Sequence, residues 1–155
     1  MKKTVLIIVL FMAVCAGLFA DFPSATLLWI SGDFGWNGSS LGGGATLDSG
    51  FQVAKNLYFS LEQAFFLADT TNLFIGAGLR FYPFQNGLVT GIDVGAGDIQ
   101  THGVNAWSFA SSALVGYDFG FLVLGAKARI DSGSTIQSTL EIFVGLSRRV
   151  MPSGK

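Results

Sequence analysis

After residue 20 the 155-residue chain contains no apolar run approaching the ~20 residues that a membrane-spanning helix requires, which excludes such a helix from the body of the protein. Cysteine occurs once, at Cys15, inside an N-terminal apolar stretch, so the rest of the chain has neither a disulfide framework nor thiol chemistry. Histidine occurs once, at His102, and a zinc site needs several clustered nitrogen, sulfur or carboxylate ligands. Asp98 and Asp131 lack the spacing of a calcium loop, so no metal or cofactor is expected. Gly42-Gly43-Gly44 has no following lysine and helix, which excludes a phosphate loop. Charged residues make up only 12% of the chain, about half the usual fraction of roughly a quarter. Basic residues (9) are outnumbered by acidic ones (10), so a nucleic-acid partner is not expected.

Apolar side chains and glycine are abundant instead. Half of the residues are hydrophobic, 14% are aromatic, 21 are glycine, and the mean hydropathy is +0.54. High apolarity without a spanning helix leaves two solutions, a very apolar soluble β-protein or a transmembrane β-barrel. The one helical candidate is N-terminal: Lys2-Lys3, an apolar run from Val5 to Val14, then small residues. This is the pattern of a cleaved signal peptide over residues 1–20, leaving residues 21–155 as one domain. Cleavage after Ala16 and after Ala20 both fit. Lipidation at Cys15 would require a smaller residue than Val14 before it, and an uncleaved anchor would require a longer run. Loss of Lys2 and Lys3 leaves 7 basic residues against 10 acidic.

The mature chain divides into eight runs of alternating character, each read as a β-strand. They are Thr26 to Trp36, Leu41 to Ala54, Leu57 to Phe66, Leu73 to Tyr82, Leu88 to Gly97, Trp107 to Asp118, Phe121 to Ile130, and Ile136 to Ser147. The longest connection is expected between Asp98 and Ala106, and a polar tail from Arg148. Within the fourth run, Leu73, Ile75, Ala77, Leu79 and Phe81 form an apolar face. Phe74, Gly76, Gly78, Arg80 and Tyr82 form the opposite, mixed face. The other runs repeat this division. Asp33, Asp48, Glu62, Arg80, Asp93, Asp118, Lys127, Arg129 and Glu141 all fall opposite the apolar set. So do many glycines, among them Gly42, Gly76, Gly78, Gly91, Gly97, Gly116 and Gly125. A solvated face has no use for glycine, which weakens a strand. A narrow lumen does, because eight strands enclose a space just wide enough to be filled by side chains.

On the apolar face, aromatics stand at the ends of the runs. Phe34, Trp36, Phe65, Trp107 and Phe109 lie at one end, and Phe51, Phe59, Phe81, Tyr117 and Phe119 at the other. Alternating strand direction turns these into two belts around an aliphatic band, the girdle pattern of a membrane barrel. Runs of about ten residues suit tilted spanning strands. The expected fold is therefore all-β, an eight-stranded antiparallel up-and-down transmembrane barrel.

At Gly76-Ala77-Gly78-Leu79-Arg80-Phe81-Tyr82-Pro83-Phe84, with Gly95-Ala96-Gly97, the sequence resembles the small eight-stranded outer-membrane barrels, the barrel-only relatives of outer membrane protein A and the opacity proteins. The last run departs from that family, ending without a terminal aromatic. The resemblance implies a non-enzymatic protein of the bacterial outer membrane. Its partners would be outer-membrane lipid, lipopolysaccharide and the outer-membrane assembly machinery. It also implies a small set of interior acid–base pairs, for which Glu62, Arg80, Lys127, Arg129 and Glu141 are the candidates. Arg80 is expected to meet Glu62, or failing that Glu141. Three other readings stay open at this point. One is a narrow channel gated by those pairs. Another is a soluble secreted ligand-binding barrel with the faces reversed. The last is a lipid-A-modifying enzyme using His102 with Asp98 and Ser108 or Ser111.

Overall fold

The computed structural model describes residues 26–84, 87–101, 104–133 and 136–149. The expected signal segment, His102 and the end of the polar tail lie outside them. Eight strands follow one another: β1 (Thr26–Trp36), β2 (Leu41–Ala54), β3 (Leu57–Leu67), β4 (Thr71–Phe81), β5 (Leu88–Thr101), β6 (Val104–Asp118), β7 (Leu122–Ser132) and β8 (Ile136–Arg149). Each pairs antiparallel with its neighbour, and β8 returns to β1, so the sheet closes into a barrel with no free edge strand. Paired residues traced from Ile30 through Leu47, Gln63, Ile75, Ala96, Phe109 and Ser132 arrive at Ile136, yet Ile30 itself pairs with Leu146. This stagger of ten residues sets the tilt of the strands.

The alternation decides which side chain goes where. The apolar set faces outward: Ile92 is 61% exposed and Ile142 67%, whereas Val89 and Arg80 on the opposite face are 0% exposed. A soluble barrel would need the reverse, so that reading falls. Leu47 and Ser49 share the outer wall by register with Ile30 and Leu28, but both are covered. Trp36, Trp107 and Phe109 stand exposed at one end of the wall, and Phe51, Phe81 and Phe119 at the other. Phe51 packs on Phe59 and Tyr117 on Phe119, with ring centroids 5.5 and 4.6 Å apart. The wall between them is aliphatic.

Three boundaries differ from the sequence reading. The long connection expected over residues 98–106 is strand: β5 and β6 stay paired up to Thr101 and Val104. Asp98 therefore sits in β5, in register with Leu73 and Trp107. Asp131, expected in a loop, is in β7 with its side chain buried. Strand β8 also continues through Arg148 and Arg149. Beyond the aromatic belt a strand needs no lipid-facing apolar residue, so the alternation fades while the hydrogen-bond ladder continues.

Turn chemistry fits the short connections. Asn56 takes φ 63° between β2 and β3, in the left-handed region that asparagine tolerates better than most residues. Gly120 takes φ 88° between β6 and β7. The Asp118 carboxylate accepts the Gly120 N–H there at 2.7 Å.

Candidate functional site

The lumen is solid, and its glycines show why. A Cβ at Gly91 would meet the Arg80 side chain at 2.8 Å, and one at Gly78 would strike Asp93. A Cβ at Gly125 would meet the Phe143 ring at 2.6 Å, and one at Gly76 would strike Phe74. Gly91 and Gly76 make room chiefly for large inward side chains, whereas Gly78 and Gly125 also let the Ile92 and Val115 carbonyls come close. Gly44, Gly50, Gly95 and Gly145 serve otherwise. Their missing Cβ atoms would strike a carbonyl oxygen of the adjacent strand, so they permit close approach of backbones in a tightly coiled wall.

At mid-height an ionic layer spans the interior. Arg80 donates from Nε to Asp48 Oδ2 at 2.6 Å, from Nη1 to Asp93 Oδ1 at 2.8 Å, and from Nη2 to Glu62 Oε2 at 3.1 Å. The other Glu62 oxygen accepts from Lys127 Nζ at 3.1 Å. Lys127 also donates to Thr46 Oγ1 at 2.9 Å and lies 3.2 Å from Glu141 Oε2. Arg129 Nη2 is 3.4 Å from Glu141 and 3.7 Å from Glu62, with its guanidinium 4.9 Å from the Phe74 ring centre. The Ser112 hydroxyl donates to Asp93 at 2.9 Å, and the Thr46 hydroxyl donates to Asp33 at 2.6 Å. One residue or more from each of the eight strands enters this network. Every ionised member except Asp33, which is 6% exposed, is 3% exposed or less. Buried charge is tolerated best when paired and hydrogen-bonded; Arg80, Lys127, Glu62 and Asp93 have both, whereas Arg129 and Glu141 are paired by charge without a hydrogen bond.

Glu62, Arg80, Lys127, Arg129 and Glu141 are thus brought into one cluster, with Glu62 at its centre. Arg80 meets Glu62 but not Glu141, which serves Lys127 and Arg129 instead. The reason is register: Lys127 and Glu141 face each other directly across β7 and β8. Asp48 and Asp93, the two shortest contacts of Arg80, were not placed in the cluster from the sequence. Both stood on the inward face, and only the stagger between strands could have shown that they reach Arg80.

Below this layer an aromatic plug closes the end nearer the chain termini. Tyr58 packs edge-on to Tyr82 at 5.5 Å, and Trp29 stacks on Phe143 at 6.3 Å. Tyr82 donates its hydroxyl to Asp118 at 3.0 Å, and the Arg149 guanidinium lies 4.1 Å from the Tyr82 ring centre. At the opposite end the Thr70 hydroxyl accepts from Asn37 at 3.2 Å and from Gln137 at 3.3 Å, tying the β1–β2 and β3–β4 connections to the start of β8.

Of the residues proposed for an enzyme, His102 lies outside the described residues, and Asp98, Ser108 and Ser111 do not share one side of the wall. Ser108 donates to the Gly97 carbonyl inside the lumen, whereas register places Asp98 and Ser111 on the outer side of the wall. Among the described residues no group of three or more His, Cys, Asp or Glu side chains is disposed to hold a metal ion.

Comparison with solved structures decides the architecture. The N-terminal β-barrel domain of Pseudomonas aeruginosa OprF superposes with a TM-score of 0.57 at 12% identity, over 80% of this chain and 98% of that one. The Yersinia pestis outer membrane protein Ail, in a phospholipid nanodisc, gives 0.57 at 11% identity over 80% and 99%. Neisserial surface protein A gives 0.52 at 13% identity over 81% and 96%. The fold is that of the small eight-stranded outer-membrane barrels. No protein-family model and no curated protein sequence matches the chain. The aliphatic wall of this chain faces outward and its polar residues inward, the arrangement that a lipid-embedded barrel requires.

Proposed function

We propose that the protein is a non-enzymatic outer-membrane barrel with a structural or surface-interaction role, exported by a signal peptide over residues 1–20 and inserted by the outer-membrane assembly machinery. The observation that carries this reading is the solid lumen, in which an eight-strand ionic layer and an aromatic plug leave the wall and the rim as the working surfaces. The start of β1 and the end of β8 lie on the periplasmic side in this orientation. The connections at residues 37–40 and 68–70 then face outward, with lipid and lipopolysaccharide around the wall.

The rim also bears on the class of surface ligand. Ail has been crystallised with the heparin analogue sucrose octasulfate. The outward connections of this chain carry Asp69 and no lysine or arginine. Charge complementarity therefore favours a neutral or cationic partner over a polyanion.

The test is fractionation with heat-modifiability. The mature protein should resist alkaline carbonate and migrate differently on gels with and without boiling. Full extraction as a soluble monomer would refute the assignment. Planar-bilayer recording separates it from a gated channel: a silent barrel is expected, and single-channel steps altered by Glu62→Ala would favour the channel instead.

A further inference from the structure

The ionic layer and the aromatic plug do not quite meet. Between them lies a cavity of about 10 Å³, bordered by Trp29, Ser31, Thr46, Asp48, Glu62 and Lys127 and, on its apolar side, by Leu114 and Phe143. That is room for about one water molecule. Two buried polar atoms on its lining have no hydrogen-bond partner in the protein, Trp29 Nε1 and Asp48 Oδ1. Trp29 and Asp48 are 4% and 1% exposed and stand directly opposite each other on β1 and β2. A donor and an acceptor left over side by side, each costly to bury unpaired, describe one bridging group.

We propose that this cavity is a binding site for a single structural water, which accepts the Trp29 indole N–H and donates to Asp48 Oδ1. The nearby cations are already committed. Arg80 uses four of its five N–H groups on Asp48 Oδ2, Asp93, Glu62 and the Leu79 carbonyl. Lys127 donates to Thr46 and Glu62 and lies 3.2 Å from Glu141. Neither donates to Asp48 Oδ1. The second water hydrogen goes to Ser31 Oγ, whose own hydrogen is directed to Asp33 at 3.1 Å and whose lone pairs remain open. This gives the water three bonds, the usual number for a buried one. A monovalent cation is the rival occupant, since inward acids outnumber inward bases. The Trp29 indole offers a donor and the Lys127 ammonium stands on the lining, which suits a water oxygen and repels a cation.

The chain has three tryptophans, and the other two, Trp36 and Trp107, are 50% and 68% exposed on the outer wall. In the Trp36→Phe/Trp107→Phe barrel, labelled with 15N and folded in micelles, Trp29 gives the sole indole N–H resonance. The expected result is a cross-peak from that proton to a long-lived water, lost when Leu114→Phe fills the cavity. No water cross-peak in the folded barrel, or one unchanged by Leu114→Phe, would overturn the proposal. High-resolution diffraction from the unsubstituted barrel reads the same point without a variant. A water peak within hydrogen-bond reach of both atoms supports the site. A direct Trp29–Asp48 hydrogen bond, or a rubidium peak in the cavity after a rubidium soak, refutes it.

Discussion

Replacing Arg80 with methionine keeps much of the side-chain volume and removes the guanidinium. Asp48, Asp93 and Glu62 then lose contacts of 2.6, 2.8 and 3.1 Å at sites no more than 1% exposed. Glu62 retains Lys127, so the loss falls chiefly on Asp48 and Asp93. Breaking a buried pair by removing one partner costs about 3–5 kcal/mol, and the remaining carboxylates can recover part of this only by taking up protons or water. We expect the folded barrel to lose about 4 kcal/mol, or roughly a thousandfold in its folding equilibrium. The measurement is urea unfolding of the barrel refolded into vesicles, followed by tryptophan fluorescence and by the unboiled gel shift. Adding Asp48→Asn and Asp93→Asn to Arg80→Met should recover about half of the loss, because the stranded charges are then gone. A loss below about 1 kcal/mol, the scale of an exposed ion pair, would refute the claim that Arg80 holds the layer together.

Other outcomes follow from the same geometry. Gly91→Val puts a branched side chain against Arg80 and should lower stability by about 1–3 kcal/mol, whereas Gly32→Ala, with open space around its Cβ, should leave the urea midpoint unchanged. Ile142→Arg places a charge on a lipid-facing position that is 67% exposed and should cost about 2–4 kcal/mol in vesicle refolding titrations. Tyr82→Phe removes the hydrogen bond to Asp118 and should cost about 1 kcal/mol, read as a lower unfolding midpoint with the gel shift preserved.

The division of faces was legible in the sequence because lipid and lumen impose opposite demands on alternate residues. Leu79 and Phe81 had to be apolar, and Gly91 had to be small beside Arg80. The pairing partners were not legible. An inward residue of β4 can meet any inward residue at its own height, and height depends on a stagger that no single strand records. Hence the sequence reading names Glu62 first and Glu141 second for Arg80 and leaves out Asp48 and Asp93, which the register brings to the guanidinium. The upper parts of β5 and β6 were missed for a different reason. There β5 and β6 stay paired past the aromatic belt at Trp107, and beyond such a belt lipid no longer selects for alternation.

The ionic layer takes a contribution from all eight strands, and this bears on how the protein comes to exist. Asp33 belongs to the first strand and Glu141 to the last, on either side of the seam where the sheet meets itself. Before the seam shuts, Lys127 and Arg129 have only part of their complement, and an open curved sheet would carry naked charges toward hydrocarbon. A half-finished structure thus has no place in the bilayer. Its strands must be kept wet, or chaperoned, until the last stave is in position, and the finished hoop then tightens in one step.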